Sequence, residues 1–409
     1  MSRVMILTVG GSPEPVVKSI EEHSPERVYF IASHASVPLI GTVVAGLKGR
    51  VEHQTVVVED PEDLMEVYLK CARELKGIEG KDVLIDYTGG TKSMSAGVAL
   101  YGVVHGCTFT YVGGTKRSKG GLGVVETGSE RIVSQENPFD FFAIREKERG
   151  VYLFNRYQFE GAIREFESAL AKVQDRKEKS LITAMKDVAE AYFAWDRFEI
   201  SYNGVQVSKK LLNARSILEN IANLTGEDYT GQIKGIEGNL RFFKEKKKGY
   251  NIYVIADVFL NAERRGDEGK YDDGVARLYR CMEMVAQYRL KTHFGIDTSN
   301  VNIEKLPTEL GPKYKRLRDT DGKIRIGLKK GYELLQDLGD DLGRWYFDSE
   351  SGRKIQELLG SRNNSILAHG LSPVGREVFE ELVSETRAMI MIAFPDIEGV
   401  MEQGRFVKF

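Results

Sequence analysis

Arg362 and His369 stand seven positions apart in Arg362-Asn-Asn-Ser-Ile-Leu-Ala-His369-Gly370. In a helix, a turn of ~100° per residue brings that guanidinium and imidazole nearly into line on one face, two turns apart. Histidine can move a proton near neutral pH. Arginine can hold a phosphate and stabilise the charge it gains in a transition state. The pair, with Asn363 beside it as a hydrogen-bonding group, suits phosphodiester chemistry. Gly370 reads as a helix stop, and Ser372-Pro373 as the N-cap and first position of the next helix.

Spacing alone does not decide the matter, because the chain carries a second pair at the same interval. Arg27 and His34 bracket Val-Tyr-Phe-Ile-Ala-Ser, a strand-like run in which an odd separation sends side chains to opposite faces. For Arg362 and His369 the plain alternative is a surface arginine and a histidine favoured by the dipole at a helix C-terminus.

A second group of residues could bind phosphate. Gly10-Gly11-Ser12, Ser33-His34, Thr88-Gly89-Gly90-Thr91-Lys92-Ser93 and Gly113-Gly114-Thr115-Lys116 each close a short apolar run. Glycine lets backbone N–H groups approach an anion, a following helix N-terminus adds positive potential, and Lys92 adds a cation. Turn glycines are the ordinary use of glycine. A Gly-Gly-Thr-Lys repeated at two strand ends is harder to ascribe to turns alone.

The elements that must position these loops alternate. Strand-like runs at 3–9, 28–33, 54–58, 82–86 and 108–112 are separated by helix-compatible stretches at 14–23, 37–47, 61–75 and 94–104. That alternation predicts a mostly parallel sheet covered on both faces, with ligands at the C-terminal strand ends. The Walker pattern is absent, since Thr91 precedes Lys92 where that loop requires Gly-Lys. No Gly-x-Gly-x-x-Gly follows the first strand, which argues against a nicotinamide or flavin cofactor.

From residue 152 onward strands are not expected. Helical apolar spacing marks 157–170, 181–195, 251–264 and 272–290, then 332–338, 352–369 and 374–394. Arg241-Phe-Phe-Lys-Glu-Lys-Lys-Lys248 is a basic run, more often a solvated helix face than a nucleic-acid site. Glu283 lies at the edge of the apolar stripe of 272–290 and could orient Arg362 by a bidentate pair; a plain charged helix edge is the alternative. The expected domains are an α/β Rossmann-like domain at 1–137, a helical connecting region at 138–250 serving as spacer and packing layer, and a helical domain at 251–409.

Composition narrows the classes. The chain has 409 residues, is 42% hydrophobic and 29% charged, and carries a formal net charge of −2, so no global basic field advertises nucleic acid. Three dispersed cysteines argue against a disulfide framework or a zinc site, and no metal-ligand cluster is expected. With no signal peptide and no apolar run long enough to span a bilayer, a cytoplasmic protein is expected.

The combination resembles a known family. Thr8-Val-Gly-Gly-Ser-Pro-Glu-Pro15 and Asp86-Tyr-Thr-Gly-Gly-Thr-Lys-Ser-Met94 resemble the Rossmann-like CARF sensor domain of CRISPR-associated proteins. Tyr271-Asp-Asp-Gly-Val-Ala-Arg-Leu-Tyr-Arg280 and the Arg362 to His369 segment resemble a HEPN ribonuclease domain. Together they resemble the CARF–HEPN ancillary ribonucleases of type III CRISPR systems, over roughly residues 1–130 and 250–370.

The resemblance implies a homodimer that binds a cyclic oligoadenylate near Gly10, Gly11, Ser12, Ser33, His34, Thr88 to Ser93, Gly113 and Gly114. It implies metal-independent cleavage of single-stranded RNA, with Arg362, Asn363 and His369 at a composite site, Glu283 supporting them, and the RNA 2′-hydroxyl as nucleophile. Thr91, Lys92 and His34 are candidates for slow degradation of the activator by the sensor domain itself. Two other classes stay open: a non-catalytic sensor with an inert helical partner-binding domain, and a metal-dependent nuclease built on Glu245-x-Lys247. The latter run reads as helical rather than as the strand such a site needs.

Overall fold

The computed structural model describes residues 4–116, 128–363 and 373–409, with the side chains of all but 361–363. The chain divides into two compact units, Met1–Lys147 with Ser168–Lys179, and Glu148–Glu167 with Ser180–Phe409.

The first unit follows the expected alternation: β1 (Val4–Thr8), α1 (Pro13–His23), β2 (Arg27–Ser33), α2 (Val37–Gly46), β3 (Glu52–Val58), α3 (Leu64–Glu74), β4 (Val83–Asp86), α4 (Lys92–Val104) and β5 (Thr108–Gly114). A further strand, β6 (Glu130–Gln135), completes a sheet of order β3-β2-β1-β4-β5-β6. β1 to β5 run parallel, and β6 pairs antiparallel with β5. The sequence pattern does not announce β6. Its Glu-Arg-Ile-Val-Ser-Gln is polar because it is a half-exposed edge strand, without the apolar run that marks the buried ones.

Alternate residues of the buried strands feed two cores. Met5, Leu7, Val28 and Phe30 pack with Val16 and Ile20 of α1 and with Ile40 and Val43 of α2. Ile6, Tyr29, Ile31 and Ile85 pack with Val67 and Cys71 of α3 and with Met94 and Val98 of α4. The sheet is therefore covered on both faces, as period-two alternation in buried strands requires. Cys71, Cys107 and Cys281 are buried free thiols.

Strand order sets where the sheet opens. From β1 the chain winds outward to β2 and β3, then crosses back to β4 on the other side of β1. The connections leaving β1 and β4 thus diverge to opposite faces, opening a crevice at their C-terminal ends. That crevice is where Gly10 and Gly89 lie.

Beyond the sheet come α5 (Pro138–Phe141), α6 (Ile144–Phe154), α7 (Phe159–Lys172) and α8 (Arg176–Asp196). The Ser168–Lys179 segment joins the first unit through Lys172 on Glu146 at 2.8 Å, Lys147 on Glu178 at 2.6 Å and the Gln174 N–H on the Phe141 carbonyl at 2.9 Å. Contrary to the expectation of no strands after residue 152, β7 (Ser201–Tyr202) and β8 (Val205–Gln206) form a hairpin. Its turn is Asn203-Gly204, both at positive φ (47° and 78°). Asn-Gly is the residue pair a tight hairpin turn favours, and that signal was available in the sequence.

The second unit continues with α9 (Val207–Thr225), α10 (Thr230–Lys246), α11 (Ile252–Asp267), α12 (Tyr271–Phe294), α13 (Gly311–Lys315), α14 (Leu328–Asp337), α15 (Asp341–Asp348), α16 (Glu350–Asn363), α17 (Arg376–Ala393) and α18 (Ile397–Gly404). α12 is central, packed on α11, α14 and α17, while α10 and α18 cover α11. Leu278, Met282 and Val285 supply its buried stripe, at the helical spacing read from the sequence. No helix among the described residues is long and apolar enough to cross a membrane.

Candidate functional site

At the crevice, the loops after β1 and β4 meet backbone to backbone. The Thr8 hydroxyl donates to the Gly89 carbonyl at 2.6 Å, and the Ser95 hydroxyl donates to the same oxygen at 2.9 Å. A β-carbon on Gly89 would lie 2.3 Å from the Thr8 carbonyl oxygen. Gly90 takes φ +75°, a conformation costly for other residues. Thr8 and Ser95 were not singled out from the sequence. A hydroxyl at a strand end and one in the first turn of the next helix were the available signals.

Two helices of more than one turn begin here. α1 starts at Pro13 after Ser12, whose hydroxyl makes no cap hydrogen bond. α4 starts at Lys92 after Thr91, which accepts from the Met94 N–H at 3.1 Å and donates to the Pro61 carbonyl. Both helix N-termini carry orphan N–H groups and positive potential beside one crevice. Lys92 is exposed and has no carboxylate partner among the described residues. A cation in the first turn is opposed by the helix dipole, so its position becomes favourable when an anion is shared between them. Ser93 lies half-exposed next to it.

Other expected binding residues have structural employment. Thr88 donates its N–H to Asp86 at 2.8 Å and accepts the Val112 N–H at 2.8 Å, tying β4 to β5. Ser33 closes a turn with Ser36, its N–H donating to the Ser36 hydroxyl at 2.9 Å. His34 is exposed and lies 2.9 Å from Glu59. Asp86 is buried, and burial pushes its carboxyl above the ordinary value, opposed by the Ser19 and Thr88 hydroxyls, the Thr88 N–H and the charge of His23.

The two Gly-Gly-Thr-Lys segments occupy different settings. Gly89-Gly90 leads into a helix. Gly113 and Gly114 stay in the β5 ladder, opposite Arg131 and Glu130 of β6, and no helix follows them directly among the described residues. The second copy therefore offers a strand edge where the first offers a helix N-terminus.

In the second unit, Arg362 and Asn363 fall in the last turn of α16; their side chains, and His369 entirely, lie outside the described residues. The common face expected for Arg362 and His369 lies there too. The return of the chain is described. Pro373 does not open a helix as expected: α17 begins at Arg376 behind Gly375. The Val374 N–H is held instead by the Asp272 carboxylate at 3.1 Å, which fixes this stretch to the start of α12 in a non-helical conformation. Gly266 and Gly274 flank the Phe379 ring, where added β-carbons would meet it at 2.1 and 2.4 Å. The Tyr271 to Arg280 segment thus seats α17. Glu283 pairs with Arg280 one turn away on α12; a partnership with Arg362 lies outside the described side chains. Among the described residues no three His, Cys, Asp or Glu side chains gather as a metal site.

The sequence matches the Csm6 HEPN domain over residues 243–391 and the Csm6 6H domain over residues 142–227. Both matches are to domains of Csm6 proteins. It is 25% identical over 395 residues to the CRISPR system endoribonuclease Csm6 of Thermus thermophilus, covering 90% of this chain and 80% of that protein. Its fold is similar to that of Enterococcus italicus Csm6 bound to cyclic hexa-2′-fluoro-hexa-dAMP, with TM-score 0.56 and 13% identity over 98% of this chain and all (100%) of that one. The Csm6 HEPN match spans Glu283, Arg362, Asn363 and His369. The 6H match covers α6 to α9, within the region 138–250 read as spacer and packing layer.

Proposed function

We propose that this protein is a cytoplasmic, homodimeric endoribonuclease that cuts single-stranded RNA without a metal ion and is switched on by a cyclic oligoadenylate. The observation that carries the reading is the convergence of Gly10-Gly11-Ser12 and Gly89-Gly90-Thr91-Lys92, with two helix N-termini, at the switch point of the parallel sheet.

The cyclic phosphate backbone lies along this edge. Orphan N–H groups of α1 and α4 and the Lys92 ammonium answer its charge. Gly11 has nothing within 4 Å of where its β-carbon would be, so one chain supplies an open half-site. A second copy completes it around a two-fold ligand. The uncovered apolar stripe of Met65 and Leu69 on α3 and Leu100 and Val104 on α4 is the face that would pair. Binding favours one arrangement of the paired domains over another, which is the coupling an allosteric activator requires.

In the helical domain, Arg362 steadies the scissile phosphate and Asn363 assists by hydrogen bonding. His369 moves the proton as the RNA 2′-hydroxyl attacks phosphorus and the 5′-oxygen departs. Glu283 supports the site from α12.

The test is RNA cleavage in EDTA, with and without a panel of cyclic oligoadenylates, comparing wild type with His369→Ala. Activator-dependent cleavage that survives chelation and vanishes in the variant is expected. Equal cleavage by the variant removes His369 from the mechanism, and loss of wild-type cleavage in EDTA refutes metal independence.

A further inference from the structure

The basic run at the end of α10 is left unexplained by the sites above. Arg241, Lys244 and Lys247 are exposed and have no carboxylate partner among the described residues; Lys248 alone of the exposed cations there is paired, with Glu245. Elsewhere in the second unit Arg264 and Arg265 are answered by Asp196, Arg289 by Asp340 and Arg387 by Glu263. Arg241 and Lys244 stand one turn apart on α10, and Lys247 is the C-cap residue that follows it. Lys247 lies over the Phe243 ring at 4.8 Å. A helix C-terminus favours cations, which accounts for some basic character.

Three residues beyond Lys247, at most about 11 Å along the backbone, lies Tyr250, a residue that is 38% exposed. Its hydroxyl donates to the Met284 carbonyl of α12 at 2.6 Å, and the turn beneath is held by the Asn251 amide on the Glu245 carbonyl at 2.9 Å. The ring is thus fixed by its edge while part of the residue faces solvent. It lines a cavity of about 320 Å³ with Arg280, Gln287, Lys291 and the 296–299 turn. Charges inside are nearly balanced: Arg280 is engaged by Glu283, and Asp297 is turned onto the Ser299 N–H and hydroxyl at 2.9 and 2.7 Å. Gln287 brings an amide, with both donor and acceptor, to the same wall. A near-neutral polar cavity behind an aromatic ring suits a nucleobase, and the flanking free cations suit its phosphates.

We propose that the end of α10, Tyr250 and this cavity form an accessory track for single-stranded RNA, in which Arg241, Lys244 and Lys247 hold phosphates and Tyr250 stacks a base at the cavity mouth. The assignment rests on the reading that single-stranded RNA is the substrate. It extends that reading to a surface made wholly of residues outside the catalytic segment.

The experiment measures binding of a short fluorescent 2′-O-methyl RNA to the full chain by anisotropy over a range of salt, with cleavage of the ordinary RNA followed in parallel, both in the presence of a panel of cyclic oligoadenylates. Lys244→Ala with Lys247→Ala should lower the slope of log affinity against log salt by about 1.4, two phosphates at about 0.7 each. Tyr250→Ala should weaken binding about tenfold. Tyr250→Phe keeps the ring and loses only the hydroxyl, so it should bind as wild type even where its melting temperature falls. An unchanged slope in the double variant, or equal losses in Tyr250→Ala and Tyr250→Phe, overturns the track while cleavage by wild type leaves the functional reading standing. A wild type that neither binds nor cuts RNA overturns both.

Discussion

A β-carbon placed on Gly10 would lie 2.6 Å from the backbone nitrogen of Gly90, although the two residues are eighty positions apart. The loop after β1 and the loop after β4 touch without side chains between them, so the edge proposed to bind phosphate is one surface built from both. Gly11, one residue on, has open space in front of it.

This contrast gives the first prediction. Gly10→Ala forces the two loops apart and should destabilise the sheet unit by about 1–3 kcal/mol. Gly11→Ala should stay within about 0.5 kcal/mol of wild type. Thermal melts of both variants test the difference; equal stability would mean that the loops yield freely.

Lys92 is exposed, with no carboxylate partner among the described residues, so its removal should leave the melting temperature unchanged. Its loss as a charge-assisted donor should weaken cyclic oligoadenylate binding by about 1.5–3 kcal/mol, more than tenfold. Calorimetric titration of Lys92→Ala checks the affinity and a thermal melt the stability; undiminished affinity would place the ligand elsewhere.

The stripe on α3 and α4 should hold two chains together. Leu100 is 44% exposed and Met65 59%, large for apolar side chains on a packed helical layer. Leu100→Glu should halve the mass measured by light scattering and abolish activator binding. A variant that stays dimeric assigns the interface to another face.

Asp86 carries a pH dependence. Its folded pKa is raised above the unfolded value, so the stability it contributes is present below about pH 4 and is lost as pH rises through the folded value. At neutral pH the buried charge is a net cost. Asp86→Asn keeps an acceptor for the Thr88 N–H, and should raise the melting temperature at about pH 7 while flattening its fall from about pH 4. Melts across that range decide it; an asparagine variant less stable at neutral pH would show that the carboxylate is needed charged.

Local patterns wrote much of this protein plainly. Five parallel strands, their helices, and the amphipathic α11 and α12 were legible because burial on one stripe or face imposes a period on the sequence. The edge strand β6 was not, because half-exposed strands carry no such run. The hairpin at Asn203-Gly204 was missed although its turn chemistry was visible. Gly89-Gly90 and Gly113-Gly114 read alike, yet one opens a helix and the other continues a ladder, a difference that depends on what each strand pairs with next.

Residue type and spacing were enough to pick out the groups that could do chemistry: glycines that admit backbone, a lysine at a helix start, an arginine and a histidine seven apart. Each is a local property of the chain. Tertiary packing alone brought Thr8, Gly10, Gly89 and Ser95 to one edge, fixed the chain at Val374 through Asp272, and set Tyr250 against α12. Those contacts join segments from several to about one hundred positions apart, and strand order and helix packing set them, while no period in the chain records them.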